Sequence, residues 1–310
     1  MELMVDGCCG NCRQGGPKQE HACGGQREGK GHHHQISILP APSSHAVIGP
    51  DASQAVIGSA PSSSTHAVIR SFPQVFPPVP LKGLTPLTLL DYPGKLAGIA
   101  FLWGCNMRCG YCHNPGLVVG DDGVRVSEKK FLDFLDKRAG MVEGIVVTGG
   151  EPCVHPGLPA FLSTIKDRGF LVKLDSNGSF PQVLRKAVAL GLVDYLAMDI
   201  KAPLEKYPEA AGAKIDAENI LESIDFIKAS GIPHEFRTTV VPGLLAESDL
   251  LEIGKLVSGA DAYYLQQFRP GGNIDPAFER RAPYPDSFLH QMAQKLAPFA
   301  KAVGVRGTMG

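Results

Sequence analysis

From Leu84 onward, the chain alternates short apolar runs with longer segments in which the apolar positions follow a helical spacing. Short apolar runs between turn residues predict buried strands, and the helical spacing predicts amphipathic helices. The predicted strands are Ala97–Leu102, Gly144–Val147, Phe170–Leu174, Tyr195–Met198, Glu235–Val241 and Ala262–Gln267. The predicted helical segments are Ser127–Arg138, Leu158–Arg168, Pro181–Leu190, Asp216–Ser230, Glu247–Val257 and Asp286–Ala302.

The alternation of strands and helices indicates the fold class. Strands that alternate with helices of about 10–15 residues are typical of βαβ units, whose strands lie parallel in one sheet. Six such units fit a partial (β/α)6 TIM-like barrel better than a complete barrel of eight units. The sequence therefore predicts an α/β core domain over residues 83–310, with Ser127 placed to cap the first helix.

Residues 1–82 have a different composition. They begin Gly- and Cys-rich, pass through three consecutive histidines, and become rich in Ser, Pro and Ala. An apolar tetrapeptide recurs at spacings of 9 and 12 residues, which is too irregular for a solenoid. We interpret this segment as a low-complexity, disordered extension, or as the product of a start codon placed too far upstream. The repeated tetrapeptides are His45–Ile48, Gln54–Ile57 and His66–Ile69.

The charge balance excludes some partners. Thirty basic and 31 acidic residues leave a formal net charge of −1, which gives no electrostatic reason to expect nucleic acid or an anionic membrane. No run approaches the roughly 18 apolar residues that a membrane span needs. The N-terminus also lacks the basic-then-apolar pattern of a secretory signal. We therefore expect a soluble cytoplasmic protein.

The eight cysteines fall into two groups. In a cytosolic chain, clustered cysteines are more often metal ligands or reactive thiols than disulfides. We expect no function for the first group, although with His21 and the three histidines it could bind adventitious metal. Cys153, in the second group, is expected to be an incidental buried thiol. The first group is Cys8, Cys9, Cys12 and Cys23, and the second is Cys105, Cys109, Cys112 and Cys153.

Three cysteines of the second group, Cys105, Cys109 and Cys112, have the spacing C-x₃-C-x₂-C directly after the first predicted strand. Most [4Fe–4S] clusters take four cysteines, so three thiolates from one loop leave one iron open to a ligand from outside the protein. A structural zinc site, completed by His113 or Cys153, is the alternative on spacing alone.

The cysteine loop, with the aromatic Tyr111 before its last cysteine, resembles the signature of the radical S-adenosylmethionine superfamily. That resemblance implies a [4Fe–4S] cluster on the three cysteines, with S-adenosylmethionine bound through its amino and carboxylate groups to the fourth iron. One electron from the cluster then cleaves the cofactor to methionine and a 5′-deoxyadenosyl radical. The resemblance also implies that the stretch from Tyr111 to His113 packs against the adenine. Trp103, the only tryptophan, is expected to pack in the core near the cluster.

Further motifs follow the later strands. Val147–Pro152 resembles the GGEP motif of the superfamily, which implies that Gly149, Gly150 and Glu151 lie beside the methionine amino group of the cofactor. Glycines allow a close backbone approach, and a carboxylate accepts hydrogen bonds from an ammonium. The segment Asp175–Gly178 resembles the D-T-N-G segment of glycyl-radical-enzyme activating enzymes, which implies that Asp175, Ser176 and Asn177 contact the cofactor. An ordinary Asn-Gly turn is equally compatible.

Two charged positions have two readings each. The resemblance implies that Arg237 approaches the cofactor carboxylate. The alternative is that Arg237 has a structural role. Asp199 and Lys201 resemble a D-x-K segment, or they form a buried ion pair. Gln266, Gln267 and Arg269, which close the sixth predicted strand, receive no role.

Three stretches resemble the glycyl-radical-enzyme activating family, in particular the branch that activates anaerobic ribonucleoside-triphosphate reductase. The resemblance implies such a reductase as partner and a flavodoxin- or ferredoxin-type electron donor. Two alternatives remain: a radical enzyme acting on a small molecule, similar to 7-carboxy-7-deazaguanine synthase, and a metal-binding scaffold without catalysis. The three stretches are Leu90–Gly94, Cys112–Pro115 and Tyr264–Pro270.

Overall fold

A computed structural model describes residues 79–308 of the chain. The N-terminal cysteine group and the repeated tetrapeptides lie outside the described residues. The described part forms one eight-stranded sheet, flanked by helices and short 3₁₀ turns. The strands are β1 (Leu81–Thr88), β2 (Ala97–Leu102), β3 (Gly144–Gly149), β4 (Leu171–Ser176), β5 (Tyr195–Asp199), β6 (His234–Val240), β7 (Ala260–Gln267) and β8 (Ala300–Arg306). The helices are α1 (Glu128–Arg138), α2 (Leu158–Lys166), α3 (Pro181–Ala189), α4 (Tyr207–Ala211), α5 (Ala217–Ala229), α6 (Glu247–Leu256), α7 (Pro276–Glu279) and α8 (Asp286–Leu296).

The strands follow each other across the sheet in chain order, from β1 to β8. The first pair is antiparallel, and every later pair is parallel. The sheet does not close, because β1 and β8 are its two edges. The predicted α/β class and partial barrel are confirmed, and the six predicted strands are β2 to β7, with ends that differ by at most two residues.

Two strands were missed, and the last predicted helix was too long. β1 begins two residues before the predicted start of the core and contains Pro86, which a strand tolerates at a sheet edge. The helix predicted to reach Ala302 ends at Leu296, because Pro298 has no backbone N–H to continue the helical bonding. The chain then enters β8, which extends the parallel sheet by one strand.

The helices cover the sheet with the faces that the sequence pattern predicts. In α1, Phe131 and Leu135 lie one turn apart and are both buried. The Ser127 side chain accepts a hydrogen bond from the Lys130 N–H, as its predicted role at the N-cap requires. In residues 79–308, no helix is both long enough and apolar enough to cross a bilayer. The packing of the helices on the sheet thus holds in place the carboxyl ends of the strands, where the loops with polar residues begin.

Candidate functional site

The cysteine loop leaves β2 at the carboxyl edge of the sheet, and backbone hydrogen bonds attach it to three other segments. The Gly104 N–H donates to the Leu117 carbonyl at 2.7 Å, and the Gly104 carbonyl accepts from the Glu151 N–H at 2.7 Å. The Arg108 N–H donates to the Ala211 carbonyl of α4 at 2.8 Å. The loop is therefore part of the packed sheet edge. It carries all three predicted metal ligands, Cys105, Cys109 and Cys112.

The thiols of this loop lie in a desolvated place. Burial raises the pKa of Cys105 to about 11 and also raises the pKa of Cys109, while the nearby Lys201 ammonium opposes the shift at both. Thiolates are the form that binds metal, so these side chains need a compensating positive charge to ionise. Within residues 79–308, no three His, Cys, Asp or Glu side chains converge on one metal ion, and a [4Fe–4S] cluster does not require this because each of its cysteines binds a different iron.

Hydrogen-bond donors point at the sulfur of Cys105. The Met107 N–H donates to the Cys105 Sγ at 3.3 Å, and the Asn177 Nδ2 lies 3.9 Å from the same sulfur. The Asn177 amide also donates to the Asn106 Oδ1 at 2.9 Å, which joins the end of β4 to the cysteine loop. Iron–sulfur proteins tune their clusters with hydrogen bonds of this kind. Three thiols on one partly buried loop, with donors aimed at the sulfur of Cys105, therefore fit an iron–sulfur cluster.

Gly149 and Gly150 are required by the packing between β3 and the cysteine loop. A Cβ on Gly149, whose φ is +130°, would overlap the Leu102 backbone. A Cβ on Gly150 would overlap the Gly104 carbonyl and crowd the Leu117 oxygen at 3.0 Å. The sequence prediction that these glycines lie beside the cofactor stays a prediction. What the structure supplies is a second reason for them, since they let two backbones touch.

Replacing Gly150 with alanine should lower the free energy of unfolding by about 1–3 kcal/mol, because the added methyl group overlaps a backbone carbonyl that cannot move alone. Urea unfolding followed by circular dichroism measures the change. Gly116→Ala is the matched control, since a Cβ added at Gly116 would meet no atom within 4 Å and its φ is ordinary. Equal stabilities of the two variants would contradict the close approach.

Glu151 is almost fully buried and accepts three hydrogen bonds. Its Oε1 accepts from the Cys153 N–H at 2.9 Å and from the Ser176 Oγ at 3.0 Å, and its Oε2 accepts from the Asn177 N–H at 2.5 Å. Burial raises the pKa of Glu151, and these donors oppose the shift. The carboxyl group thus connects the end of β3 to the end of β4. The contact of Glu151 with an ammonium group stays a prediction.

The charged residues of β4, β5 and β6 near the carboxyl edge form one largely buried network around Arg237. Its Nη1 lies 3.0 Å from the Asp175 Oδ2, and its Nε lies 2.7 Å from the Asp199 Oδ1. Lys201 lies 3.1 Å from Asp199, so these two residues form the ion pair that was one of the two interpretations of the sequence. Burial alone would raise the pKa of both aspartates, but Arg237, with Lys173 at Asp175 and Lys201 at Asp199, holds both below their usual range.

The network includes three further residues that sequence reasoning missed, one each in β4, β6 and β8. Lys173 is fully buried and lies 2.6 Å from the Asp175 Oδ1 and 3.6 Å from the Glu235 Oε1. Glu235 is also fully buried and receives both terminal nitrogens of Arg306, at 2.9 and 2.7 Å. A sequence signal existed: Lys173 with Asp175, and Glu235 with Arg237, are two residues apart in a strand and therefore face the same side.

Tyr111 and His113 lie in an aromatic group beside the loop. The Tyr111 ring is buried, with its centroid 6.0 Å from that of Phe278. The His113 ring is more exposed and lies 6.1 Å from Phe268. Partial burial, together with the Arg269 charge, lowers the pKa of His113. Of the two residues predicted to contact adenine, His113 presents the more accessible ring.

Two other predicted residues have structural surroundings. Trp103 is half-buried, with the Arg125 guanidinium 4.9 Å from its ring centroid. Cys153 is a buried free thiol next to Glu151 and Ser176, and burial raises its pKa well above the usual value. Cys153 thus lies directly after the GGEP motif, and its backbone N–H is one of the donors to Glu151.

Comparison with known proteins adds a family relationship. The sequence model of the radical SAM superfamily matches residues 100–255. A protein of Methanocaldococcus jannaschii, provisionally named a glycyl-radical enzyme activating enzyme, is 32% identical over 237 residues, which cover 74% of this chain and 97% of that protein. The pyruvate formate-lyase-activating enzyme of Streptococcus mutans is 30% identical over 187 residues, covering 54% of this chain and 68% of that enzyme.

Shorter and more distant similarities are also found. The 7-carboxy-7-deazaguanine synthase of Neisseria meningitidis is 32% identical over 110 residues, which cover 35% of this chain and 45% of that enzyme. The crystal structure of Streptococcus suis SuiB bound to S-adenosylmethionine superposes with a TM-score of 0.52 at 12% identity, over 66% of this chain and 48% of SuiB. At that identity, and over about half of SuiB, the likeness shows the fold alone.

Proposed function

This chain belongs to the radical SAM superfamily, and we propose that within it the protein activates a glycyl radical enzyme with a [4Fe–4S] cluster and S-adenosylmethionine. The observation that carries the proposal is the partly buried loop with three cysteines at the carboxyl edge of an open sheet. The similarity to a relative with an activating-enzyme name extends over 74% of this chain and 97% of that relative, and so includes the cysteine loop.

The residues of the chain have distinct tasks in this proposal. When bound, the cluster and cofactor supply a one-electron cleavage that starts hydrogen-atom abstraction. Cys105, Cys109 and Cys112 hold the cluster, and the Lys201 charge favours their ionised form at Cys105 and Cys109. Asn177 donates toward the sulfur of Cys105 and so connects the cofactor side of the site to the cluster loop.

The buried charges and the open sheet support the partner assignment. Arg237 is held by two aspartates, so its orientation at the carboxyl edge is fixed before any ligand arrives. The edges of the sheet, β1 and β8, do not meet, and a barrel that stays open leaves room for a peptide loop of a partner. We propose that this loop carries the glycine of an anaerobic ribonucleoside-triphosphate reductase, with a flavodoxin or ferredoxin as electron donor.

Incubation of the reconstituted protein with S-adenosylmethionine, a reductant and the anaerobic reductase of the same genome should produce a glycyl radical. Electron paramagnetic resonance of the reductase detects it directly. A reductase with its radical glycine replaced by alanine is the control, and it should give no signal. Cofactor cleavage without any radical on the reductase would contradict the activating role.

A second candidate function is the synthesis of a small molecule, since the chain is 32% identical to a 7-carboxy-7-deazaguanine synthase over 110 residues. That similarity covers 35% of the chain, against 74% for the relative with an activating-enzyme name. A polar small molecule would need charged groups to bind it. The charged side chains from Lys173 to Arg306 are instead paired with each other. The similarity that supports the activating role therefore covers more of the chain than the similarity that supports a synthase.

A further inference from the structure

A segment from the far end of the chain contacts the cysteine loop between two of its cysteines. We call residues 270–281, which connect β7 to α8 and contain α7, the strap. The only residues between Cys109 and Cys112 are Gly110 and Tyr111, and the strap donates a hydrogen bond to the carbonyl of each. The Asp275 N–H donates to the Gly110 oxygen at 3.0 Å, and the Asn273 Nδ2 donates to the Tyr111 oxygen at 3.1 Å.

Asn273 is held as firmly as the loop that it contacts. Its side chain is 7% exposed, and its Oδ1 accepts from the Gly271 N–H at 3.0 Å while its Nδ2 donates to Tyr111. Both ends of the amide therefore have a partner, which fixes its orientation. A buried amide that is bonded at both its oxygen and its nitrogen, and that connects residues 162 positions apart, is a built contact.

Apolar packing follows the same line. A Cβ on Gly110 would lie 2.5 Å from the Phe278 ring, so the strap presses against the loop where it has no side chain. The Phe278 ring lies 6.0 Å from the Tyr111 ring and 6.4 Å from the Phe268 ring. The strap is attached at its own end as well, because Arg281 donates to the Pro242 carbonyl at 2.9 Å.

We propose that the strap, through Asn273, is a positioning element for the thiols of Cys109 and Cys112. The turn between them is closed by the Cys112 N–H donating to the Cys109 carbonyl at 3.0 Å, so the two spacer residues carry its remaining freedom. Hydrogen bonds to both spacer carbonyls fix these peptide planes, and with them the directions in which the flanking cysteines leave the backbone. That the thiols bind a cluster rests on the proposed function; that the strap orients them does not.

The test is the rate at which each cysteine of the metal-free, reduced protein reacts with iodoacetamide, resolved by mass spectrometry. Asn273→Leu is close to isosteric and adds no charge beside the thiols, but it removes both hydrogen bonds of the amide. We expect the alkylation rates of Cys109 and Cys112 to rise about tenfold, as the loss of the one bond that reaches the cysteine loop, from Asn273 to the Tyr111 carbonyl, allows. The rate at Cys105, whose neighbours are Met107 and Asn177, should stay within about twofold.

Glu279→Ala is the matched control, because Glu279 is exposed, belongs to the strap and makes neither contact. Phe278→Leu tests the packing against Gly110 independently and keeps the test decisive if Asn273→Leu does not fold; it should raise the same two rates. Unchanged rates at Cys109 and Cys112 in both folded variants overturn the proposal. Faster loss of iron to a chelator from the loaded Asn273→Leu protein is the expected second readout.

The two proposals fail separately in these measurements. The alkylation rates are taken without metal, so they report on the strap whether or not a cluster binds. If the loaded wild-type protein holds no iron while the alkylation rates still rise, the proposed function fails and the strap remains a positioning element.

Discussion

Replacing any one of Cys105, Cys109 or Cys112 with alanine is expected to reduce the iron retained after anaerobic reconstitution by at least about tenfold, since loss of a ligand exceeds the effect of losing an outer-shell partner. The three thiols come from one loop, and two thiolates cannot hold a cluster that already has an open corner. Iron and sulfide analysis of the desalted protein measures the loss. Formation of 5′-deoxyadenosine should disappear with the iron.

The matched control for these variants is Cys153→Ala. Cys153 is the remaining free cysteine within residues 79–308, and it is buried beside Glu151 instead of on the loop. We expect this variant to keep its full iron content, because its thiol is not one of the three proposed ligands. If it loses iron as severely as Cys109→Ala does, the cluster has four protein ligands and the open iron does not exist. Zinc in place of iron in the anaerobically isolated protein would contradict the assignment as well.

The largest expected effect on stability is at Glu235. Its fully buried carboxylate lies near three cations, with Arg306 at 2.7 Å, Lys173 at 3.6 Å and Arg237 at 3.7 Å. The variant Glu235→Gln keeps the shape but removes the negative charge, which takes the carboxylate from Arg306 and weakens the balance of charge at Lys173 and Arg237, although both of these keep Asp175. We expect the free energy of unfolding to fall by about 3–5 kcal/mol. Urea unfolding of the metal-free protein measures this difference.

An exposed ion pair provides the control for Glu235. Arg185 and Glu222 lie 3.0 Å apart, and both side chains are about half exposed, at 50% and 49%. Glu222→Gln should change the free energy of unfolding by less than about 1 kcal/mol, because solvent screens the pair. A Glu235→Gln protein no less stable than Glu222→Gln would mean that the interior network is not a structural unit.

The part of the fold from β2 to β7, in which strands and helices alternate along the chain, could be predicted from the sequence. Apolar runs such as Gly144–Val147 are long enough to identify a buried strand without knowledge of its neighbours. β1 was missed because Pro86 argues against a strand, and the structure places it at the edge where this argument does not apply. β8 was missed because Ala300 and Ala302 extend the helical pattern past Pro298, although the helix ends before that proline.

The site could be predicted only as far as its motifs are local. The three cysteines and Glu151 belong to short segments whose spacing is visible in the sequence. The pairing of Lys173 with Glu235 depends on the register of strands that are two positions apart in the sheet, and no local pattern gives it. Asn273 shows no sequence signal, since its contact with Tyr111 spans 162 residues.

The central claim is that the cysteine loop holds an iron cluster with one iron free for S-adenosylmethionine. The most direct test is the electron paramagnetic resonance spectrum of the reduced, reconstituted protein before and after S-adenosylmethionine is added. The account predicts a cluster signal in both samples and a changed spectrum once the cofactor binds the free iron. A cluster signal that the cofactor leaves unchanged, in a protein loaded with four irons, would contradict it.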